Sequence, residues 1–142
     1  MKVDKSFIPP KAEENDEFYP NGIFEFNITK LLAFITQRSD EFPVEEVSVK
    51  SVRPYAPSLL DEDTIRSANL SRPIIISEIS PHRFNVIDGN HRLEKAHREG
   101  MDAIQAYRVR SPHHSKFLTS ASAYLKYIDY WNSKIDGLDE ID

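Results

Sequence analysis

The chain is predicted to fold as one α+β domain, and three observations point there. Short apolar or alternating runs typical of strands are interleaved with stretches of helical period. No linker divides the 142 residues, a length suited to one domain that buries about two-thirds of its unfolded surface. Hydrophobic residues make up 39% and charged residues 29%, the balance of a packed core under a wetted surface.

Each element follows from local pattern. Residues 1–20 are polar, carry three prolines and show no period. They are expected to form an N-terminal arm, extended or disordered, with Phe7 or Phe18 as points of packing. After the Asn21-Gly22 turn signal, "NGIFEF" reads as a short strand. Asn27 is then placed to cap a helix in "NITKLLAFITQRSD", where Ile28, Leu31, Leu32 and Ile35 share a face. Phe42-Pro43 closes it. "VEEVSVKSV" reads as a strand and "RPYAP" as a turn. Ser58 and Asp61 resemble a capping box that opens a helix in "LLDEDTIRSA". Pro73 fits only the start of the strand "PIIISEI", and "FNVI" returns as its partner after "SPHR".

The segment "VIDGNHRLEKAHREG" predicts a strand end, a tight turn and a helix over roughly 90–99. Gly100 stands where a left-handed C-terminal cap belongs, and "AIQAYRV" is a last strand. A final helix is expected over 113–135, with Phe117, Ala121, Tyr124, Ile128, Trp131 and Ile135 as one apolar stripe. The expected organisation is therefore an arm at 1–20, a single domain at 21–136, and an acidic tail at 137–142.

Charge is unevenly spread. The net charge is −5, divided as −4 over residues 1–45, +2 over 46–116 and −3 over 117–142, and all five histidines lie in the middle segment. An anionic ligand is best tolerated there, whereas the acidic ends weigh against strong duplex binding. With no cysteine, disulfides, thiolate metal sites and thiol catalysis are excluded. No apolar run approaches the roughly 20 residues of a membrane span, and "MKVDKSFIPPKAEEN" has no signal-peptide core. A cytoplasmic location and no membrane partner are expected.

The chemistry concentrates in Asp88-Gly89-Asn90-His91-Arg92. The first amides of a helix lack intrahelical acceptors and sit at the positive end of its dipole, so an anion suits them. Gly89 permits a positive φ and a close approach of backbone to an oxygen. Asn90 is the expected N-cap, which places Arg92 at the second helical position, able to lay its planar fork on the same anion. His91 adds a donor whose protonation responds to charge. Basic residues in a first turn oppose the dipole, so something must compensate them, and a bound anion would. Asp88 is either a capping residue or a general base and Mg²⁺ ligand. His113-His114 reads as part of a polar turn. There is no HExxH, GxxxxGK[ST] or GxSxG pattern.

The order of elements from the "VEEVSVKSV" strand, through "SRPIIISE" and "VIDGNHRLEKAHREG", to "AIQAYRV" resembles the ParB N-terminal (ParB-like nuclease) domain, which shares its fold with sulfiredoxin. The resemblance covers roughly 46–110. It implies a small mixed sheet with flanking helices, here with an added C-terminal helix. It also implies a nucleotide (ATP, ADP or CTP, with Mg²⁺) held through Gly89, Asn90, His91 and Arg92. ParB partition proteins carry Gly-Glu-Arg-Arg where this chain has Gly89 to Arg92, and no helix-turn-helix follows here. Sulfiredoxin has its reactive cysteine at the place of Asn90, so sulfinic-acid reduction is excluded. Free-serine kinases of this fold are similar in their Asp-Gly-x-His-Arg motif, but use an upstream Glu where "VRPYAPS" has no acid. Glu45, Glu46 and Asp61 are the acids that folding would have to bring there.

Three functional classes stay open. One is a phosphotransferase or nucleotide hydrolase with Asp88 and His91 as catalytic groups. Another is a non-catalytic nucleotide-sensing module, partnered or homodimeric through the C-terminal helix by way of Tyr124, Tyr127 and Trp131. The third is a DNA-associated nuclease.

Overall fold

The computed structural model describes residues 1–21, 24–52, 59–111 and 113–141. The Gly22 half of the Asn-Gly turn, the "RPYAP" turn and Ser58 lie outside them.

The sheet is built around β4 (Ile74–Ser80), whose seven residues are all buried. A strand covered on both faces reads as a continuous apolar run, and "PIIISEI" is one. On one side β4 pairs antiparallel with β5 (Arg83–Asp88), and on the other it pairs parallel with β6 (Ala103–Val109). An outer strand, β3 (Glu45–Ser48), pairs antiparallel with β6. The order is β3-β6-β4-β5. A parallel pair needs a crossover, and β5 with the helix α3 (Asn90–Arg98) supplies it.

Alternation along the strands divides the core in two. Ile74, Ile76, Val86, Ile104 and Ala106 face α3, which contributes Leu93 and Ala96. Ile75, Ile79, Ile87 and Val109 face the other way. There they meet Leu31 and Ile35 of α1 (Ile28–Gln37) and Tyr127 and Ile128 of α4 (Ala121–Ile141). Asn27 caps α1 as expected, accepting the Lys30 amide at 3.0 Å. At the end of α3, Gly100 takes φ +75° and donates to the His97 carbonyl. This is a small mixed α+β sheet with flanking helices and a further C-terminal helix.

Several local expectations are corrected. Residues 18–21 form β1 (Phe18–Asn21), paired antiparallel with β2 (Phe24–Asn27). The segment before them lies against α4 through Phe7, one of the two expected points of packing: Phe7 stacks on Tyr124 with centroids 4.1 Å apart, and the Asp4 amide donates to the Tyr124 hydroxyl. The helix α2 (Glu62–Ser67) is shorter than the sequence suggested, because Asp61 itself caps it, accepting the Thr64 amide at 2.9 Å.

The long terminal helix starts at Ala121, where the Ser120 hydroxyl accepts the Ala123 amide, and a short 3-10 turn at His114–Phe117 precedes it. His113 stands in a turn as expected, its amide donating to the Arg110 carbonyl, but His114 opens the 3-10 turn and is fully buried rather than polar surface. The buried stripe of α4 runs through Ala123, Tyr124, Tyr127 and Ile128. Tyr124 and Tyr127 face the domain's own core, with Trp131 packed against it, so these aromatics are not a free docking face. Among the described residues no helix is long and apolar enough to cross a membrane.

Candidate functional site

The strand-turn-helix segment is built on Gly89. It takes φ +105° and is itself the N-cap of α3, so Asn90 is the first helical residue and Arg92 the third. A Cβ on Gly89 would stand 2.5 Å from Ile74 Cγ2 and 2.7 Å from Arg92 Nη2. The glycine is thus required by the protein's own packing, whatever binds nearby.

Among the described residues, no acceptor meets the backbone amides of Asn90, His91 and Arg92, while the Leu93 amide closes onto the Gly89 carbonyl at 2.9 Å. The positive end of the α3 dipole is therefore open.

Arg92 differs from expectation. Its guanidinium turns back along the strand end, donating from Nη2 to Asp88 Oδ2 at 3.2 Å and to the Pro73 carbonyl at 3.3 Å. The basic first turn is thus compensated by the protein's own carboxylate, and the charge mismatch no longer calls for an anion. Arg92 is nonetheless only 8% exposed, and its Nε is buried without a partner among the described residues. A second arginine, Arg72, stands 3.9 Å from the same Asp88 oxygen. Asp88 closes β5 with two guanidinium groups beside it.

His91 links two helices. Its Nε2 accepts the backbone amide of Asp61 at 3.2 Å. An accepting Nε2 carries no proton, so the neutral ring holds its proton on Nδ1. Asp61 is the one of the three upstream acids brought to this region. Its carboxylate is occupied by the Thr64 amide and hydroxyl, bonds that hold its pKa below the usual carboxylate value. Glu45 is taken by Arg108 Nε at 3.3 Å, and Glu46 is exposed on β3.

Two clefts flank the Gly89–His91 turn. One, about 370 Å³, lies between α2 and the start of α3, rimmed by Thr64, Arg72, Asp88, His91 and Arg92. The other, about 270 Å³, is lined by Phe18, Tyr19, Leu60, Ile87 and Asn90, and Asn90 Nδ2 donates to the Tyr19 hydroxyl at 3.3 Å. A larger groove of about 680 Å³ lies beside Gly100 and Met101. It flanks the carbonyl end of α3, where the dipole is negative and an anion is unfavoured.

Of the residues singled out in the sequence, all five from Asp88 to Arg92 meet here. Arg72 and Tyr19 were missed. Neither is within ten residues of the motif, and only the β4–β5 pairing and the β1 hairpin bring them in. Among the described residues no three His, Asp or Glu side chains gather as a metal cluster. Asp88 would hold Mg²⁺ only together with ligand oxygens and water, the donors that ion prefers.

A central mixed sheet, a β5–α3 turn with its amides open and a guanidinium folded against the strand end define a small α+β domain with a polar site at a helix start. Residues 34–123 match the ParB N-terminal domain, well over half of the chain, and the protein belongs to that family. No curated protein and no solved structure matches the chain. The β1–β2 hairpin and most of α4 lie outside the matched span.

Proposed function

We propose that this domain binds the phosphates of a nucleotide (ATP, ADP or CTP) at the start of α3. One observation carries the reading: three consecutive amides, from Asn90 to Arg92, lack acceptors among the described residues and open between two clefts, one rimmed by Arg72, His91 and Arg92. Phosphate oxygens accept from such amides and from guanidinium forks. In this reading Gly89 admits the oxygen to the backbone, the amides of Asn90 and His91 hold it, and Arg92 with Arg72 neutralises its charge. Asp88, together with ligand oxygens and water, would hold a Mg²⁺ ion that offsets the phosphate charge.

Calorimetric titration with ATP, ADP and CTP, with and without Mg²⁺, tests this directly. Saturable binding that Arg92→Ala weakens at least tenfold supports it, and unchanged binding in that variant refutes it.

For catalysis, as a phosphotransferase or nucleotide hydrolase, Asp88 would serve as general base or metal ligand and His91 as acid or base. Both are engaged: Asp88 by Arg92, and His91 Nε2 by the Asp61 amide. That engagement favours a second reading, a module that binds nucleotide without consuming it. Chromatography of bound nucleotide after hours with Mg²⁺ separates them, because intact ligand means a sensor and loss of a phosphoryl group means an enzyme. A DNA-associated role rests on family alone. The site's cations line a cleft and do not form the exposed basic stripe a duplex needs.

A further inference from the structure

On the face of the sheet that α3 covers, Ile104 and Ala106 lie beneath the helix, and Arg108 and Arg110 follow them at the same two-residue step. Both guanidinium groups stand over the Phe84 ring, with Cζ 4.6 and 5.2 Å from its centroid. An aromatic face holds a guanidinium by its flat side and leaves the N–H edge to an acceptor. For Arg108 that acceptor is Glu45, both of whose oxygens lie 3.3 Å from Nε. Glu41 is taken by Arg38. Arg110 is exposed and has no carboxylate partner among the described residues.

The backbone beside it is also unfinished. β3 starts only at Glu45, opposite Ala106. Pro43, two residues earlier, has no N–H with which to continue that ladder. Tyr107, Arg108 and Val109 therefore pair with β4 on one side and meet no strand on the other among the described residues. At this open edge lies a cleft of about 440 Å³, lined by Phe42 and Pro43 together with Arg108, Arg110 and His113. His113 Nδ1 is enclosed without a partner among the described residues. The place is separate from the Gly89 turn, which packs on Ile74 at the start of β4, whereas Val109 pairs with Ser77.

We propose that this cleft docks an extended peptide segment of a partner protein, laid along the open edge of β6 with one Asp or Glu side chain on Arg110. Strand addition draws affinity from main-chain hydrogen bonds and specificity from the side chains beside the edge. The pairing of Glu41 and Glu45 leaves one cation over, so the partner segment carries a single carboxylate, and those two acids repel a polyanion.

The probes are pools of capped heptapeptides with Val, Ile and Thr at the flanking positions and Glu, Gln or Lys at the centre, titrated by fluorescence anisotropy against the full chain. The Glu pool is expected to bind at least tenfold tighter than the Gln and Lys pools. Arg110→Gln, at an exposed position, should abolish that preference with the melting temperature unchanged, and Arg110→Lys should keep part of it. Backbone N-methylation of the Glu pool, which removes ladder donors, should cost at least tenfold, and bound peptide should slow amide exchange over 107–109. Equal binding of the three pools, no binding at millimolar concentration, or a Glu preference that survives Arg110→Gln overturns the proposal. So does free glutamate that binds as tightly as the Glu pool, which would make the cleft a small-acid pocket.

Discussion

Arg92 Nη2 lies 3.2 Å from Asp88 Oδ2, so the third residue of a helix is clamped to the last residue of the strand that feeds it. The pair spans the Gly89 turn and sets its shape from outside the backbone. It also makes the carboxylate the resident occupant of a place where an anion would otherwise sit. Whatever binds must share these cations with Asp88 or bring a metal ion to join it.

Removing the guanidinium should therefore be felt twice. Arg92→Ala deletes a charge-assisted contact worth about 1.5–3 kcal/mol, which is roughly ten- to a hundredfold in nucleotide affinity. It also leaves Asp88 without its nearest cation, so the melting temperature falls. Arg92→Lys should restore charge but not the fork, recovering stability more than affinity. Calorimetry and thermal melting of the two variants check this.

The carboxylate has the opposite effect. In chelator, Asp88→Asn should bind inorganic phosphate several-fold more tightly than wild type at low salt, because Arg72 and Arg92 are released from it. With Mg²⁺ the advantage should vanish, since the hard ligand for the ion is gone. Titrations in the two buffers give the comparison.

Gly89→Ala tests the turn itself. The new Cβ meets Ile74 Cγ2 at 2.5 Å and Ile74 Cβ at 2.9 Å, in a central strand that has no room to retreat, and φ is +105°. Left-handed backbone costs a side-chain residue about 1–2 kcal/mol and overpacking about 1–3 kcal/mol. A loss of roughly 2–5 kcal/mol in urea unfolding is expected. Wild-type stability in this variant would mean that the turn relaxes freely.

His114 sets a pH dependence. Its ring is fully buried, with Nε2 3.3 Å from the Tyr127 hydroxyl, and burial pushes its pKa down to about 4. The unfolded imidazole takes up its proton near pH 6.5, so between that value and 4 the unfolded state binds more protons. Stability is thus full above pH 6.5 and declines as the pH falls to 4, by about 3 kcal/mol. Urea unfolding of wild type and His114→Gln across that window should show the flatter profile in the variant. Carboxylates held low by local bonds, such as Asp16, act at more acidic pH and leave the difference intact.

What the sequence made legible was local. The strand "PIIISEI", the Asn27 cap and the left-handed Gly100 each rest on neighbours a few residues apart, and the structure reproduces them. The site motif was legible for the same reason, as a glycine between a strand and a helix. β1 was not, because four residues including Pro20 have no period, and only the register with β2 makes them a strand. His114 reads as polar until Phe26 and Tyr127 close around it. The Arg92–Asp88 clamp had a signal in its four-residue spacing, obscured because the helix begins between the two. Arg72 had none, since its approach to Asp88 depends on strand pairing.

The seam between α2 and α3 is fastened mainly by polar groups. Lys95 donates to the Arg66 and Ala68 carbonyls, Arg98 forks onto Glu62, and the Asp61 amide reaches His91, with Ile65 the buried apolar residue of α2. One wall of the larger cleft is thus held by hydrogen bonds and one exposed ion pair, and the other is wedged into the sheet through Gly89 and Ile74. The exposed Arg98–Glu62 pair is screened by salt while the β4 packing is not, so deuterium should enter α2 early and β4 late, and the gap between them should widen modestly as ionic strength rises.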